Sequence, residues 1–179
     1  MMGDRMSFPW SDLPHDDPAW FKPGAVYVPS GQGPTVWAAG DIYTIKATGA
    51  QTNGGFGLIE ATVPAGSGPP PHAHPNEEET FYLLSGELEF LDGDTTFLAV
   101  AGDYIHIPRG VRHRFHNVGS HAARMLFMFT PPGMEQIIAD QAEPARPGEP
   151  VPGLDDEEWL RRMPIIAELG QGIMLPDPE

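Results

Sequence analysis

The chain has 179 residues, with 10 Lys or Arg against 25 Asp or Glu and a formal charge of −15. That balance excludes nucleic-acid binding by counterion displacement and argues against an anionic membrane surface as partner. Cysteine is absent, so disulfides, thiolate zinc sites, iron–sulfur clusters and a cysteine nucleophile are excluded too.

The first twenty residues carry no apolar h-region, and no apolar run approaches ~18 residues. The expectation is a cytoplasmic protein with no secretory signal and no membrane span. Residues 1–24 are rich in Pro and Asp yet hold Phe8, Trp10, Trp20 and Phe21. An arm with that many aromatics packs on something, either its own domain or a neighbouring subunit. The second option gives a homodimer whose interface includes the arm. From Ala25 to Thr130 the pattern is β. Expected strands are 25–29, 34–38, 41–48, 56–63, 79–84, 87–91, 95–100, 104–107, 112–116 and 123–129, all short and bounded by Gly, Pro, Asn or Asp. Asp92-Gly93-Asp94 reads as a hairpin turn, because Gly tolerates positive φ. Three prolines, Pro69 to Pro71, stiffen the approach to His72. Phe81, Phe90, Phe97, Phe115, Phe127 and Phe129, with Met125 and Met128, read mostly as core. Beyond Pro132 the composition changes. Gly133–Ala142 reads as a short helix, 143–153 as a linker or wrap with four prolines, and Asp155 onward as a second helix. The organisation is therefore an N-terminal arm (1–24), a β-barrel domain (25–132) and a helical C-terminal appendix (133–179).

Seven histidines are present, and His72-x-His74 is the first signal among them. On a strand, residues i and i+2 share a face, so both imidazoles can enter one cavity. Glu79 opens a strand whose inward series runs Glu79, Phe81, Leu83. His113 shares its side with Phe115, while Arg112, Arg114 and His116 face the other way. Three neutral imidazoles and one carboxylate make a mixed site for a divalent transition metal, with about two positions left open in octahedral geometry. The run Glu77-Glu78-Glu79 has a plainer reading, since runs of acid are usually solvated. His106, between Ile105 and Ile107, reads as structural. Asn117 and Asp103 read as residues that tie turns.

The spacing around these residues is more specific. Gly66, His72, His74, Glu79 and Gly86 fall at fixed intervals. So do Gly102, Pro108, Gly110, His113 and Asn117, after a 15-residue stretch from Glu87 to Ala101. This pattern resembles the two signature motifs of the cupin superfamily, with all ten fixed positions occupied. The resemblance implies an all-β jelly-roll barrel holding one divalent metal ion per chain, bound by His72, His74, Glu79 and His113. Glu78 stands as the alternative to Glu79. The metal could be Fe, Mn, Ni, Co, Cu or Zn, because the donor set suits each of them.

The single-domain layout resembles the small quercetin 2,3-dioxygenase-like cupins. By that resemblance an acidic enol or phenol binds as its anion, Glu79 acts as general base as well as ligand, and dioxygen opens a ring. The expected substrate is small, apolar and aromatic or polyketide-like, lined by Phe81, Leu83, Phe115, Met125, Phe127 and Phe129. No Lys or Arg is expected to point inward. A non-oxidative metal enzyme (isomerase, decarboxylase or polyketide-cyclase type) and a binding protein without catalysis are the alternatives.

Overall fold

Buried and exposed residues alternate along the long strands, so each has one face in the core. In the computed structural model, which describes residues 16–152 and 172–175, a 3₁₀ turn (Pro18–Phe21) precedes the first strand. The strands are β1 (Thr35–Ala38), β2 (Asp41–Ala47), β3 (Gly57–Val63), β4 (His72–Ala73), β5 (Glu78–Ser85), β6 (Glu87–Asp92), β7 (Thr95–Val100), β8 (Tyr104–Ile107), β9 (His113–His116) and β10 (Ala123–Thr130). A helix, α1 (Met134–Gln141), and two short strands, β11 (Glu143–Pro144) and β12 (Ile173–Met174), follow.

All pairings are antiparallel. One sheet has seven strands in the order β11-β1-β2-β3-β10-β5-β8, and the other has five in the order β12-β4-β9-β6-β7. Between β3 and β10 the chain moves repeatedly from one sheet to the other, the jelly-roll pattern. That crossing matters for function. It brings β4 and β9 of one sheet and β5 of the other to the same end of the barrel, although β9 lies far along the chain from β4 and β5.

The core between the sheets is largely aromatic. Phe81 meets Phe90 edge-on at 5.1 Å between ring centroids and stacks on Phe127 at 6.0 Å. The inward series Glu79, Phe81, Leu83 and His113, Phe115 are buried as the alternation required. The Asp92–Asp94 hairpin forms, with Gly93 at φ 64°. Asp103 Oδ2 accepts from the Val100 amide at 2.8 Å. Asn117 donates to the Val63 and His121 carbonyls and accepts from the Gly119 amide.

Three expectations need correction. Residues 25–29 form no strand, and Tyr27 is 83% exposed. Val26, Tyr27 and Val28 have the right side chains, but a strand needs a neighbour. The free edge of β1 is taken instead by β11, from the segment that reads as a linker or wrap. That segment does wrap: the Arg146 guanidinium lies 4.5 Å over the Trp37 ring. Phe97 is 41% exposed rather than core, because β7 is an edge strand. Met128 lies on the half-buried outer side of β10. The helix expected from Asp155, and Phe8 and Trp10 of the arm, lie outside the described residues. No helix among the described residues is long and apolar enough to cross a membrane.

Candidate metal centre

The four residues of the expected ligand set come together. One donor atom from each of His72, His74, Glu79 and His113 lies within 4.8 Å of all the others. Strand pairing explains why. His72 on β4 is directly opposite His113 on β9, and their rings are 4.4 Å apart. His74 follows β4, and its ring lies 4.9 Å from that of His72. Glu79 enters from the other sheet, with Oε2 at 2.9 Å from His113 Nε2 and 3.5 Å from His74 Nε2. Glu78, the alternative ligand, points outward toward His106 and Arg109.

The hydrogen bonds fix the state of two imidazoles. His72 Nδ1 donates to the Pro70 carbonyl and His113 Nδ1 to the Val111 carbonyl, both at 2.9 Å. A carbonyl only accepts, so each Nδ1 carries a proton, and in the neutral ring Nε2 is then an open lone pair. Burial, with the neighbouring His113 and His74 charges, pushes the His72 pKa down to about 3, so its imidazole is neutral. For Glu79, burial alone would raise the pKa. The His113 and His74 hydrogen bonds and charges more than reverse this and hold the carboxyl well below its usual range.

With His113 neutral, its Nε2 lone pair faces a carboxylate oxygen 2.9 Å away. Two acceptors at that distance need a proton or a cation between them. Three imidazoles, two of them fixed by backbone carbonyls, and one carboxylate fit a divalent transition metal.

The six residues expected to line a substrate pocket all lie in the barrel core. Phe129 meets His74 edge-on at 5.7 Å, and Phe81 lies 6.5 Å from His113. Leu83 and Met125 pair with each other further along β5 and β10. No Lys or Arg is buried among the described residues. Arg114 bonds Glu89 on the outer face, and Arg112 holds the Gly93 and Leu175 carbonyls.

Among the described residues, two buried carboxylates besides Asp41 escape the sequence reading. Glu77 is 3% exposed, so the acid run is not a solvated one. Its parity with Glu79 is the signal that could have found it. Glu135 accepts from the Gly49 and Gly133 amides, both at 2.8 Å, and ties α1 to the β2–β3 loop. A cavity of about 460 Å³ lies elsewhere, between residues 39–40, 64–68 and 150–152, and contains none of the four ligands.

The cupin domain family model matches residues 59–129, which hold all four. Polyketide synthase CurC of Streptomyces cyaneus is 41% identical over 95 residues, covering 51% of this chain and 60% of that protein. Protein SchB of Streptomyces halstedii is 30% identical over 114 residues, covering 60% of this chain and 81% of that protein. Quercetin 2,3-dioxygenase of Bacillus subtilis is 25% identical over 115 residues, covering 64% of this chain but 34% of that protein. The matched motifs, the converged ligand set and these relatives agree, and the chain belongs to the cupins.

Proposed function

We propose that this protein is a metal-dependent dioxygenase acting on a small aromatic, polyketide-like molecule with one acidic enol or phenol. The observation that carries the reading is a cluster of three histidines and one glutamate set in an apolar barrel, with no buried Lys or Arg among the described residues. A phosphorylated sugar or a dicarboxylate would leave a buried anion without its cation. One acidic hydroxyl needs only the charge of the cluster's own ion. Similarity to polyketide synthase CurC supports the substrate class, and similarity to quercetin 2,3-dioxygenase supports the reaction.

His72, His74, Glu79 and His113 would hold the ion, which supplies a positive charge that lowers the pKa of the enol or phenol and retains its anion. Glu79 turns Oε2 toward His74 and His113. Oε1 is then the atom that takes the substrate proton. Phe81, Phe115, Phe127 and Phe129 hold the flat ring and keep water out, while Leu83 and Met125 close the floor. Dioxygen is the co-substrate that opens the ring.

A second reading is a non-oxidative isomerase, decarboxylase or cyclase. It is favoured by the placement of a proton acceptor within the chain, since proton transfer needs no co-substrate. Full-length protein loaded with Fe(II), Mn(II) or Ni(II) is to be offered flavonols, hydroxylated aromatics and 1,3-diketones in an oxygen electrode. Uptake coupled to substrate loss is expected. Turnover at equal rate without oxygen selects the second reading, and no turnover with any of them rejects both. We also propose a homodimer whose interface includes residues of the N-terminal arm, where Phe21 is 78% exposed. A monomer mass at micromolar concentration overturns that.

A further inference from the structure

The strand that carries His72 is held lightly on one side and firmly on the other. β4 has two residues, His72 and Ala73, and its register with β9 is one pair, His72 with His113. Its other edge is taken by β12, where Ile173 lies opposite Ala73 and Met174 opposite His72. The Leu175 amide continues this contact by donating to the Pro71 carbonyl at 3.0 Å. The Pro70 carbonyl, one residue earlier, accepts from His72 Nδ1. β12 thus grips residues 71–73, the backbone that sets where His72 sits.

The grip has its own clamp. Arg112 Nε donates to the Leu175 carbonyl at 2.6 Å and its Nη1 to the Gly93 carbonyl at 2.8 Å. The Gly93 amide donates back to the Arg112 carbonyl at 2.9 Å. One planar guanidinium therefore ties β12 to the β6–β7 turn. Arg112 directly precedes His113, the ligand opposite His72. His74 is held differently, with its carbonyl accepting from the Gly110 amide at 2.8 Å. A two-residue strand paired once has little to offset the entropy of fixing its backbone. A ligand already in place binds its ion more tightly than one that must be ordered first.

We propose that β12, clamped by Arg112, is a positioning element of the metal centre that holds His72 opposite His113. The cupin family model ends at residue 129, so the site is completed from outside the matched domain. This inference rests on metal binding by the four-residue cluster and holds whichever reaction follows.

The test titrates the whole metal-free chain with Co(II), followed by visible absorption and by the cobalt-shifted imidazole N–H signals in proton NMR. Leu175→Pro removes the amide that bonds Pro71, and the residue before a proline keeps the extended backbone that Met174 already has. Arg112→Ala removes the clamp, and Arg112→Lys restores one of its two donors. Arg146→Ala is the control, since Arg146 lies over Trp37 and secures the wrap next to β11, at the edge of the other sheet. Leu175→Pro and Arg112→Ala should bind cobalt about 10- to 100-fold more weakly, the range for losing an outer partner of a ligand. At saturating cobalt both should show one shifted N–H signal fewer than wild type, as the freed His72 exchanges its proton with water. Arg112→Lys should recover part of the affinity, and Arg146→Ala should match wild type in both readouts. Wild-type affinity and signals in Leu175→Pro or in Arg112→Ala overturn the inference, and so does an equal loss in Arg146→Ala, which would mark general loosening. In those cases the metal cluster stands. If wild type itself binds no cobalt, the cluster reading falls and this inference with it.

Discussion

Glu79 and Asp41 are both buried carboxylates inside the same barrel, and their acidities move in opposite directions. Glu79 faces imidazoles that can carry positive charge, and they hold its carboxyl below the usual range against the effect of burial. Asp41 begins β2 and, among the described residues, meets the neutral hydroxyls of Ser67 and Tyr43. Burial raises its pKa to about 7, and hydrogen bonds from Ser67 and Tyr43 oppose this only in part. Its geometry suits the protonated form. Ser67 Oγ lies 2.7 Å from Asp41 Oδ1 and 2.9 Å from the Gly40 carbonyl, while Tyr43 Oη donates to Oδ2 at 3.2 Å. A hydroxyl has one proton and cannot serve both acceptors fully. With Asp41 protonated, Asp41 donates to Ser67 and Ser67 donates to Gly40, and each contact is satisfied. Burial thus sets the penalty for charge, and the neighbours decide whether a carboxyl becomes an anion that binds a cation or keeps its proton.

The largest expected effects are at the charged end. His72→Ala or His113→Ala should weaken metal binding by more than the 10- to 100-fold typical of losing an outer partner of a ligand. Elemental analysis of protein purified from metal-replete medium checks this; wild type should hold about one equivalent per chain. Full occupancy in both variants would remove the cluster from the comparison altogether. Next comes Glu79→Gln, which keeps an oxygen donor but loses the charge and the base. At equal metal occupancy the rate should fall by about 10²–10⁴. Unchanged turnover would reduce Glu79 to a ligand.

Asp41 should act on stability rather than activity, with a definite sign. Its folded pKa of about 7 lies above the ordinary carboxyl value of 3.8. The folded chain therefore binds more protons than the unfolded chain between those values, and stability falls as pH rises through that window, then levels off. The full difference is about 4 kcal/mol. Asp41→Asn keeps a donor for Ser67 and an acceptor for Tyr43 at every pH. Urea unfolding should find the variant equal to wild type near pH 4 and more stable by up to about 4 kcal/mol at pH 8. A constant difference across that range would mean that Asp41 titrates normally, and the contrast with Glu79 would collapse.

The metal cluster is legible in the sequence because its determinants are local. Strand alternation fixes the side of each residue, and Glu79, Phe81 and Leu83 or His113 and Phe115 can be sorted without knowing what lies opposite. The same rule applied to the acid run places Glu77 inside with Glu79, against the solvated reading that composition suggests. Other features depend on partners distant in sequence. Residues 25–29 look like a strand until β11, more than a hundred residues later, proves to hold the edge they would need. Asp41 meets Ser67 across 26 residues, and Glu135 meets Gly49 across 86. Nothing near either carboxylate in sequence announces its partner.

Glu135 extends the comparison to a buried carboxylate held by backbone amides. Two backbone amides, of Gly49 and Gly133, donate to its oxygens. Its space is reserved by Gly57, where an added Cβ would fall 2.1 Å from Oε2 and 2.3 Å from Cδ. No side chain tolerates that distance, so Gly57→Ala must displace the carboxylate and uncouple α1 from the β2–β3 loop. Glu135→Ala should cost about 1–3 kcal/mol for the amides left unpaired. Gly57→Ala should destabilise by a similar amount, because it breaks the same bonds. Once Glu135 is truncated, the methyl added by Gly57→Ala has room, so the double variant should be about as stable as Glu135→Ala alone. Urea unfolding of the four proteins measures the coupling. If the two losses simply add, Gly57 serves β3 for some other reason, and the amides do not depend on it to hold Glu135 in place.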